Sequence, residues 1–110
     1  MELTYKNKKL QDLCENSKYN KELVKNYGNE VAKKLPRRII ELKSFVSVND
    51  IPVNFPYRRH KLSGDRKGTF SINITNQYRL IFRQKDKSII IEDLREIKEI
   101  EIMEVSKHYE

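Results

Sequence analysis

Residues 68–82 read Gly-Thr-Phe-Ser-Ile-Asn-Ile-Thr-Asn-Gln-Tyr-Arg-Leu-Ile-Phe and contain the most specific structural pattern in the chain. Apolar and polar residues alternate in two runs on either side of a polar break at 75–77, which predicts a β-hairpin. A two-residue turn would put the two apolar sets on opposite faces, whereas a three-residue loop pairs Ile72 with Leu80 and directs both sets to one core. The three-residue loop therefore predicts a polar, cationic opposite face made of Ser71, Asn73, Arg79 and Arg83.

The size and charge of the chain fit one small basic domain. It has 110 residues, 37% of them apolar and 35% charged, which favours a single globular domain over 1–110 with a thin core. Lys and Arg number 23 against 16 Asp and Glu, which gives a net charge of +7. Such an excess favours an acidic partner: nucleic acid, a membrane surface or an acidic protein.

The N-terminal sequence and the cysteine count bear on the cellular compartment in which the protein is expected. The start, Met-Glu-Leu-Thr-Tyr-Lys, lacks the basic and then apolar pattern of a signal peptide. No apolar run approaches about 18 residues, the length that a membrane span needs, so no membrane partner is expected. Cys14 has no second cysteine to pair with, and its helical spacing favours a buried apolar role. We therefore expect a cytoplasmic protein.

Helical spacing dominates the N-terminal half. After a short extended segment at 2–5, apolar residues recur every three or four positions as far as Tyr27, and Gly28 suits a helix stop. A second stripe with this spacing predicts an amphipathic helix, in which Pro36 is expected to cause a kink or a fresh start. The stripe consists of Val31, Leu35, Ile39, Leu42 and Val46.

Two further strands are expected after the hairpin. Residues 88–91 are a candidate third strand, and the apolar residues of 97–105 predict a last one. The apolar parity changes at Met103, which indicates a β-bulge or burial on both faces. Six acids lie in 92–104, and we expect this acidic segment to be a solvated edge. The predicted fold class is α+β, with N-terminal helices packed on a small, mainly antiparallel sheet.

A basic loop precedes the hairpin. Residues 58–67 are Arg-Arg-His-Lys-Leu-Ser-Gly-Asp-Arg-Lys, with five cations, one acid and a histidine around a glycine. Such a cluster favours a phosphate-facing site, because the planar guanidinium of arginine matches phosphate oxygens. The predicted RNA contacts, from this loop and from the hairpin, are Arg58, Arg59, Lys61, Lys67, Asn73 and Arg83.

Histidines and cations are sufficient to cut RNA without a metal. The 2′-hydroxyl attacks the adjacent phosphate, which requires a base for its proton, an acid for the leaving 5′-oxygen and cations for the phosphorane. His60 and His108 are the candidate acid and base, because histidine titrates near neutral pH, and Arg66 and Arg79 are candidate cations. One cysteine and two distant histidines give no metal-ligand spacing, and three glycines cannot build a dinucleotide fingerprint or a P-loop. No cofactor is expected.

Several segments together resemble a known family. They are 3–10, Tyr27-Gly28, 60–68, 78–82 and 102–108. In this order they are similar to the HigB and RelE type of toxins from type II toxin–antitoxin systems, in the RelE/ParE superfamily. The resemblance implies a compact RelE-like domain in which helices cover one side of the sheet and RNA binds the other. It also implies an endoribonuclease that cleaves messenger RNA on the ribosome.

The resemblance gives roles to single residues. His60 and Arg66 match family residues on the basic loop, and Arg79 matches the strand arginine that contacts the scissile phosphate. His108 matches the histidine of a C-terminal Asp-Tyr-His. This chain has serine and lysine at the two preceding positions, and Lys107 is a candidate for charge stabilisation there.

One further departure and two alternatives remain. Family members often have proline and then lysine where this chain has Lys61 and Ser63, so one cation is lost or shifted by two residues. A ParE-like inhibitor that binds DNA gyrase is the alternative on the same fold, although His60, Arg79 and His108 argue against it. A plain basic nucleic-acid module is a third interpretation. The partners implied for a toxin are the ribosome, messenger RNA and a cognate antitoxin, HigA-like with a helix-turn-helix domain.

Overall fold

The computed structural model describes residues 1–107, without the side chain of Asp65. Three helices pack on a five-stranded sheet with the strand order β1-β5-β4-β3-β2, in which only the β1–β5 pair is parallel. The predicted α+β class is therefore confirmed. The elements are β1 (Glu2–Tyr5), α1 (Lys8–Glu15), α2 (Asn20–Tyr27), α3 (Asn29–Ser44), β2 (His60–Lys61), β3 (Thr69–Asn73), β4 (Tyr78–Gln84) and β5 (Glu99–Lys107). None of these helices has the length and apolar character to cross a membrane.

The β3–β4 hairpin has the predicted register. Ile72 lies opposite Leu80 and Asn73 opposite Arg79, and the Ile74 amide donates to the Tyr78 carbonyl at 2.9 Å across the three-residue loop. The core side of the hairpin is mainly apolar, with Ile72, Leu80 and Phe82 buried in the core cluster. The period-2 pattern thus fixes which side of the sheet faces the helices.

The helix α3 differs from the prediction at two positions. It runs without interruption through Pro36, so the fresh start expected there is wrong. Proline removes one backbone donor, but Leu35 and Ile39 on either side are buried in the core and hold the helix. The helix ends at Ser44, and Val46, predicted to continue the apolar stripe, is 68% exposed. Gly28 separates α2 from α3, as expected.

The strand β5 lies inside the sheet, between β1 and β4. The acidic segment is therefore not an edge, and that expectation is wrong for its strand portion. A register shift between Ile81 and Phe82 leaves Met103 as the extra residue, so the bulge is the correct one of the two explanations given for the parity change. The acids of β5 project from the sheet face away from the helices, where Glu101 lies opposite Arg83.

Residues 88–91 do not form a strand, contrary to prediction. The side chain of Gln84 supplies the hydrogen bonds that a ladder would have made: its Nε2 donates to the Asp86 carbonyl at 2.6 Å, and its Oε1 accepts from the Ile91 amide at 3.1 Å. The isoleucines at 89–91 are therefore part of a loop that the Gln84 side chain stabilises, and Ile89 is 64% exposed.

Candidate functional site

The face of the sheet away from the helices, called the open face below, carries the candidate site. His60 pairs with Ser71 on β3, Ser71 with Ile81 on β4, and Asn73 with Arg79. Directly paired residues of antiparallel strands project to the same side, so these side chains share the open face. The centre of this face is less polar than predicted, because Ile81 belongs to it and is 4% exposed.

An open pocket of about 440 Å³ lies at one end of the open face, and we call it the cationic pocket. It gathers residues from the loop 52–59, from β2 and from β4. Its lining residues are Val53, Asn54, Phe55, Arg58, Arg59, His60 and Arg79. His60 and Arg79 stand on either side of β3 and two residues apart along it, so their backbones are about 12 Å apart, and both residues line this pocket.

The loop 52–59 is held by its own backbone and by the sheet. The Arg58 amide donates to the Asn54 carbonyl at 3.0 Å, and the Asn73 amide at the end of β3 donates to the Tyr57 carbonyl at 2.7 Å. Arg58 has a φ of 48°, the left-handed region that non-glycine residues seldom adopt. These contacts present the Arg58 side chain to the pocket from a fixed backbone.

Arg38 supports the loop 52–59 from the helix α3, although it is not part of the predicted apolar stripe. Its side chain is 9% exposed, and its Nε donates to the Asn73 carbonyl at 3.0 Å. The guanidinium also lies 5.1 Å from the centre of the Tyr57 ring and 2.9 Å from a Glu41 carboxylate oxygen. The signal for it was present, because position 38 is three residues after Leu35 and borders the apolar stripe.

Two arginines predicted to contact RNA have partners within the protein. Arg59 Nη1 donates to the Val48 carbonyl at 2.8 Å, and burial lowers the pKa of its guanidinium. Arg83 contacts Glu101 Oε1 through Nε at 2.8 Å and Nη2 at 2.7 Å. Both arginines lie near the open face, but each has a structural task there. Their positive charge is therefore less available to a phosphate than that of Arg58.

The basic loop does not form one cluster. His60 lies on the open face, whereas Lys61 lies opposite Phe70 and so projects to the other side of the sheet. There, Lys61 and Lys67 line a separate pocket of about 400 Å³. Arg66 is exposed in the 3₁₀ turn at Gly64–Arg66, which precedes β3. The start of β3 lies about 13 Å from the Asn73–Arg79 pair at its other end. The structure thus groups His60 with Arg58 and Arg79, places Arg66 beyond the far end of β3, and places Lys61 and Lys67 around a separate pocket.

The last two described residues of β5 project to opposite faces of the sheet. Ser106 lies opposite Arg79 on the open face. Lys107 lies opposite Tyr78, whose ring packs edge-on against Tyr27 at 5.5 Å, so Lys107 projects to the helix side. His108 lies outside the described residues.

Comparisons with known proteins support the fold. No family model and no curated protein matches the chain. Solved structures do match it over nearly its full length. A mutant of YafQ from E. coli is 19% identical with a TM-score of 0.57, covering 96% of this chain and 91% of that one.

Two more solved structures agree. A YoeB–YefM complex from Staphylococcus aureus is 17% identical with a TM-score of 0.55, covering 99% of this chain and 98% of that one. A copper-bound mutant toxin from Helicobacter pylori is 18% identical with a TM-score of 0.55, covering 98% and 94%. The protein therefore has the RelE-like fold that the resemblance implied.

Proposed function

We propose that the protein is the toxin of a type II toxin–antitoxin system and acts as a ribosome-dependent messenger RNA endoribonuclease. The observation that supports this most is the cationic pocket, in which His60, Arg58 and Arg79 converge from three parts of the chain. A histidine beside arginines on a rigid sheet combines proton transfer with phosphate binding. The solved toxin from Helicobacter pylori, which has this fold, raises the expectation of a toxin role.

The proposed reaction proceeds through the substrate's own 2′-hydroxyl. A base removes the hydroxyl proton, the oxygen attacks the adjacent phosphorus, and the bond to the leaving 5′-oxygen breaks as an acid protonates it. The products are a 2′,3′-cyclic phosphate and a 5′-hydroxyl. His60 and His108 are the acid and base candidates, and Arg79 stabilises the phosphorane with its paired donors.

The remaining candidates take outer positions in this proposal. Arg58 holds the scissile phosphate with Arg79. Arg66, Lys61 and Lys67 lie outside the cationic pocket and add a longer-range attraction for the RNA backbone. Lys107 is placed on the helix side by its register, so its contribution to the reaction is expected to be small. Contacts of this kind release counterions, and binding should weaken steeply as salt rises.

The proposal includes an antitoxin partner. A YoeB–YefM complex with the same fold was solved, and an enzyme that cuts messages would require restraint in its host. The antitoxin is proposed to be encoded beside this chain and to carry a helix-turn-helix domain. Co-expression with the adjacent gene should restore growth and yield a complex that survives purification. Persistent arrest with no complex would contradict the pairing.

A translating extract tests the main proposal. The purified protein should cut a message during translation and leave the same free RNA largely intact, because the ribosome completes the site. Uncut messages combined with loss of DNA supercoiling by purified gyrase would support the ParE-like alternative instead. Cutting of free RNA at the same rate would contradict the dependence on the ribosome.

A further inference from the structure

Phe55 is an aromatic ring left in solvent beside the cationic pocket. Every other phenylalanine and tyrosine within residues 1–107 is buried or half-buried, whereas Phe55 is 73% exposed. Val53, two residues earlier, is 59% exposed. Both side chains line the cationic pocket and form its apolar wall. Two adjacent apolar side chains in solvent contribute nothing to the core, so their position suits a contact with a ligand.

The loop holds Phe55 in place without burying it. Tyr57, two residues later, packs inward against Phe45 with ring centres 5.6 Å apart. The Arg59 amide donates to the Pro52 carbonyl at 3.2 Å, which closes the loop around Phe55. A ring carried by such a loop loses little conformational freedom when it meets a ligand.

We propose that Phe55, supported by Val53, is a stacking platform for an unpaired RNA base whose phosphate lies against Arg58 and Arg79. Sites for single-stranded nucleic acid combine a cationic groove with exposed aromatic rings, because every base offers a π face. The bases of a duplex are stacked on one another and leave no such face inside the helix. This inference rests on the proposed function and specifies single-stranded RNA as the substrate class.

Fluorescence tests the platform directly. The chain has no tryptophan, so Phe55→Trp introduces one reporter at the wall of the pocket. Ile40→Trp is the matched control, at a 68% exposed position on α3 at the helix side of the molecule. A short 2′-O-methyl RNA, which cannot be cut, should quench Phe55→Trp at low salt, and an abasic strand with the same phosphates should not. Equal quenching by both strands, or equal quenching of the Ile40→Trp control, would overturn the proposal.

Affinity for the same 2′-O-methyl RNA gives a second measurement. Phe55→Leu keeps the apolar bulk but removes the ring, and should weaken binding by about 5-fold to 100-fold. Phe55→Tyr keeps the ring and should bind within about twofold of the unmodified protein. Unchanged affinity of a folded Phe55→Leu variant would exclude stacking. Message cutting without base-dependent quenching would overturn the platform alone, whereas base-dependent quenching without message cutting would overturn only the nuclease proposal.

Discussion

Arg83 and Glu101 face each other across β4 and β5, with Arg83 Nη2 2.7 Å from Glu101 Oε1. Arg79 stands four residues earlier on the same strand and the same face, where its pairing position on β5 holds the neutral Ser106. Two arginines with the same strand geometry thus face different residues on β5. Glu101 pairs with Arg83, whereas Arg79 lines the cationic pocket.

This difference predicts unequal effects of substitution. Arg79→Ala should lower the rate of message cutting by about a hundredfold to a thousandfold, because it removes a donor to the phosphorane. Arg83→Gln should change the rate only a few-fold, since the Arg83 charge is already paired. Cleavage in a translating extract measures both, with circular dichroism to show that each variant is folded. A loss with Arg83→Gln as large as that with Arg79→Ala would contradict this assignment.

The register of β5 directs Lys107 away from the open face, which predicts a small role for it beside that proposed for His108. His108→Ala should relieve growth arrest on expression, because it removes a proposed acid or base. Lys107→Ala should retain most of the toxicity, because Lys107 projects to the helix side opposite Tyr78. Growth curves of both variants at matched protein levels test this. Equal relief by the two substitutions would return Lys107 to the site.

Arg38 should stabilise the folded protein through its contacts with Asn73 and Tyr57. Arg38→Met leaves the Asn73 carbonyl without its side-chain donor and removes the cation over Tyr57, which should cost about 1–3 kcal/mol in the free energy of unfolding. Arg37→Met, at the exposed adjacent position, should stay within about 0.5 kcal/mol. Urea unfolding monitored by circular dichroism gives both values. Similar values for the two variants would show that Arg38 does not stabilise the loop.

Gly64 and Gly68 lie between β2 and β3, and substitutions at the two positions test how firmly the Gln84 side chain is held. Both have positive φ, 76° and 67°, but a Cβ at position 68 would lie 3.3 Å from the Gln84 side chain, and one at position 64 meets nothing within 4 Å. Gly64→Ala should cost about 1 kcal/mol for the backbone alone. Gly68→Ala should cost about 1 kcal/mol more, because Gln84 is fixed by its bonds to the following loop. Equal unfolding free energies would show that Gln84 moves freely.

Cys14 should be chemically silent in the folded protein. Its side chain is 1% exposed, and burial raises the pKa of the thiol to about 12. Because the raised pKa leaves the neutral thiol in great excess at pH 8, a thiol reagent should react far more slowly with the native protein than with the protein in urea. Absorbance of the released thiolate from a disulfide reagent measures the rate. Rapid reaction of the native protein would contradict the burial.

Sequence reasoning reached the fold because its strongest signals were local. The alternation around 75–77 allowed one register only, and the helical stripe to Leu42 allowed one buried face. It failed at residues 88–91, where the isoleucines have strand composition but Gln84 bonds to their backbone. No periodicity records a side chain that substitutes for a neighbouring strand.

The candidate site was predicted in part, and for a similar reason. His60 and Lys61 project to opposite faces because they are neighbours in a strand. The strand β2 has only two residues, too few for an alternating pattern to identify it as a strand from the sequence. The convergence of Arg58 with Arg79 depends on the loop 52–59, whose shape is set by contacts with Arg38 and β3. Such long-range contacts leave no mark on residue spacing.

The position of β5 between β1 and β4 affects how the protein folds during synthesis. Glu2 pairs with Glu99, and β4 meets β5 only after Glu99–Lys107 has been synthesised. Until then β1 has no neighbour, the apolar edge of β4 is uncovered, and contacts separated by nearly the whole chain are missing. The nascent polypeptide thus completes its sheet only after this last strand has left the exit tunnel. An enzyme that attacks translation, as proposed here, would therefore lack the strand that flanks Arg79 until β5 has emerged from the ribosome.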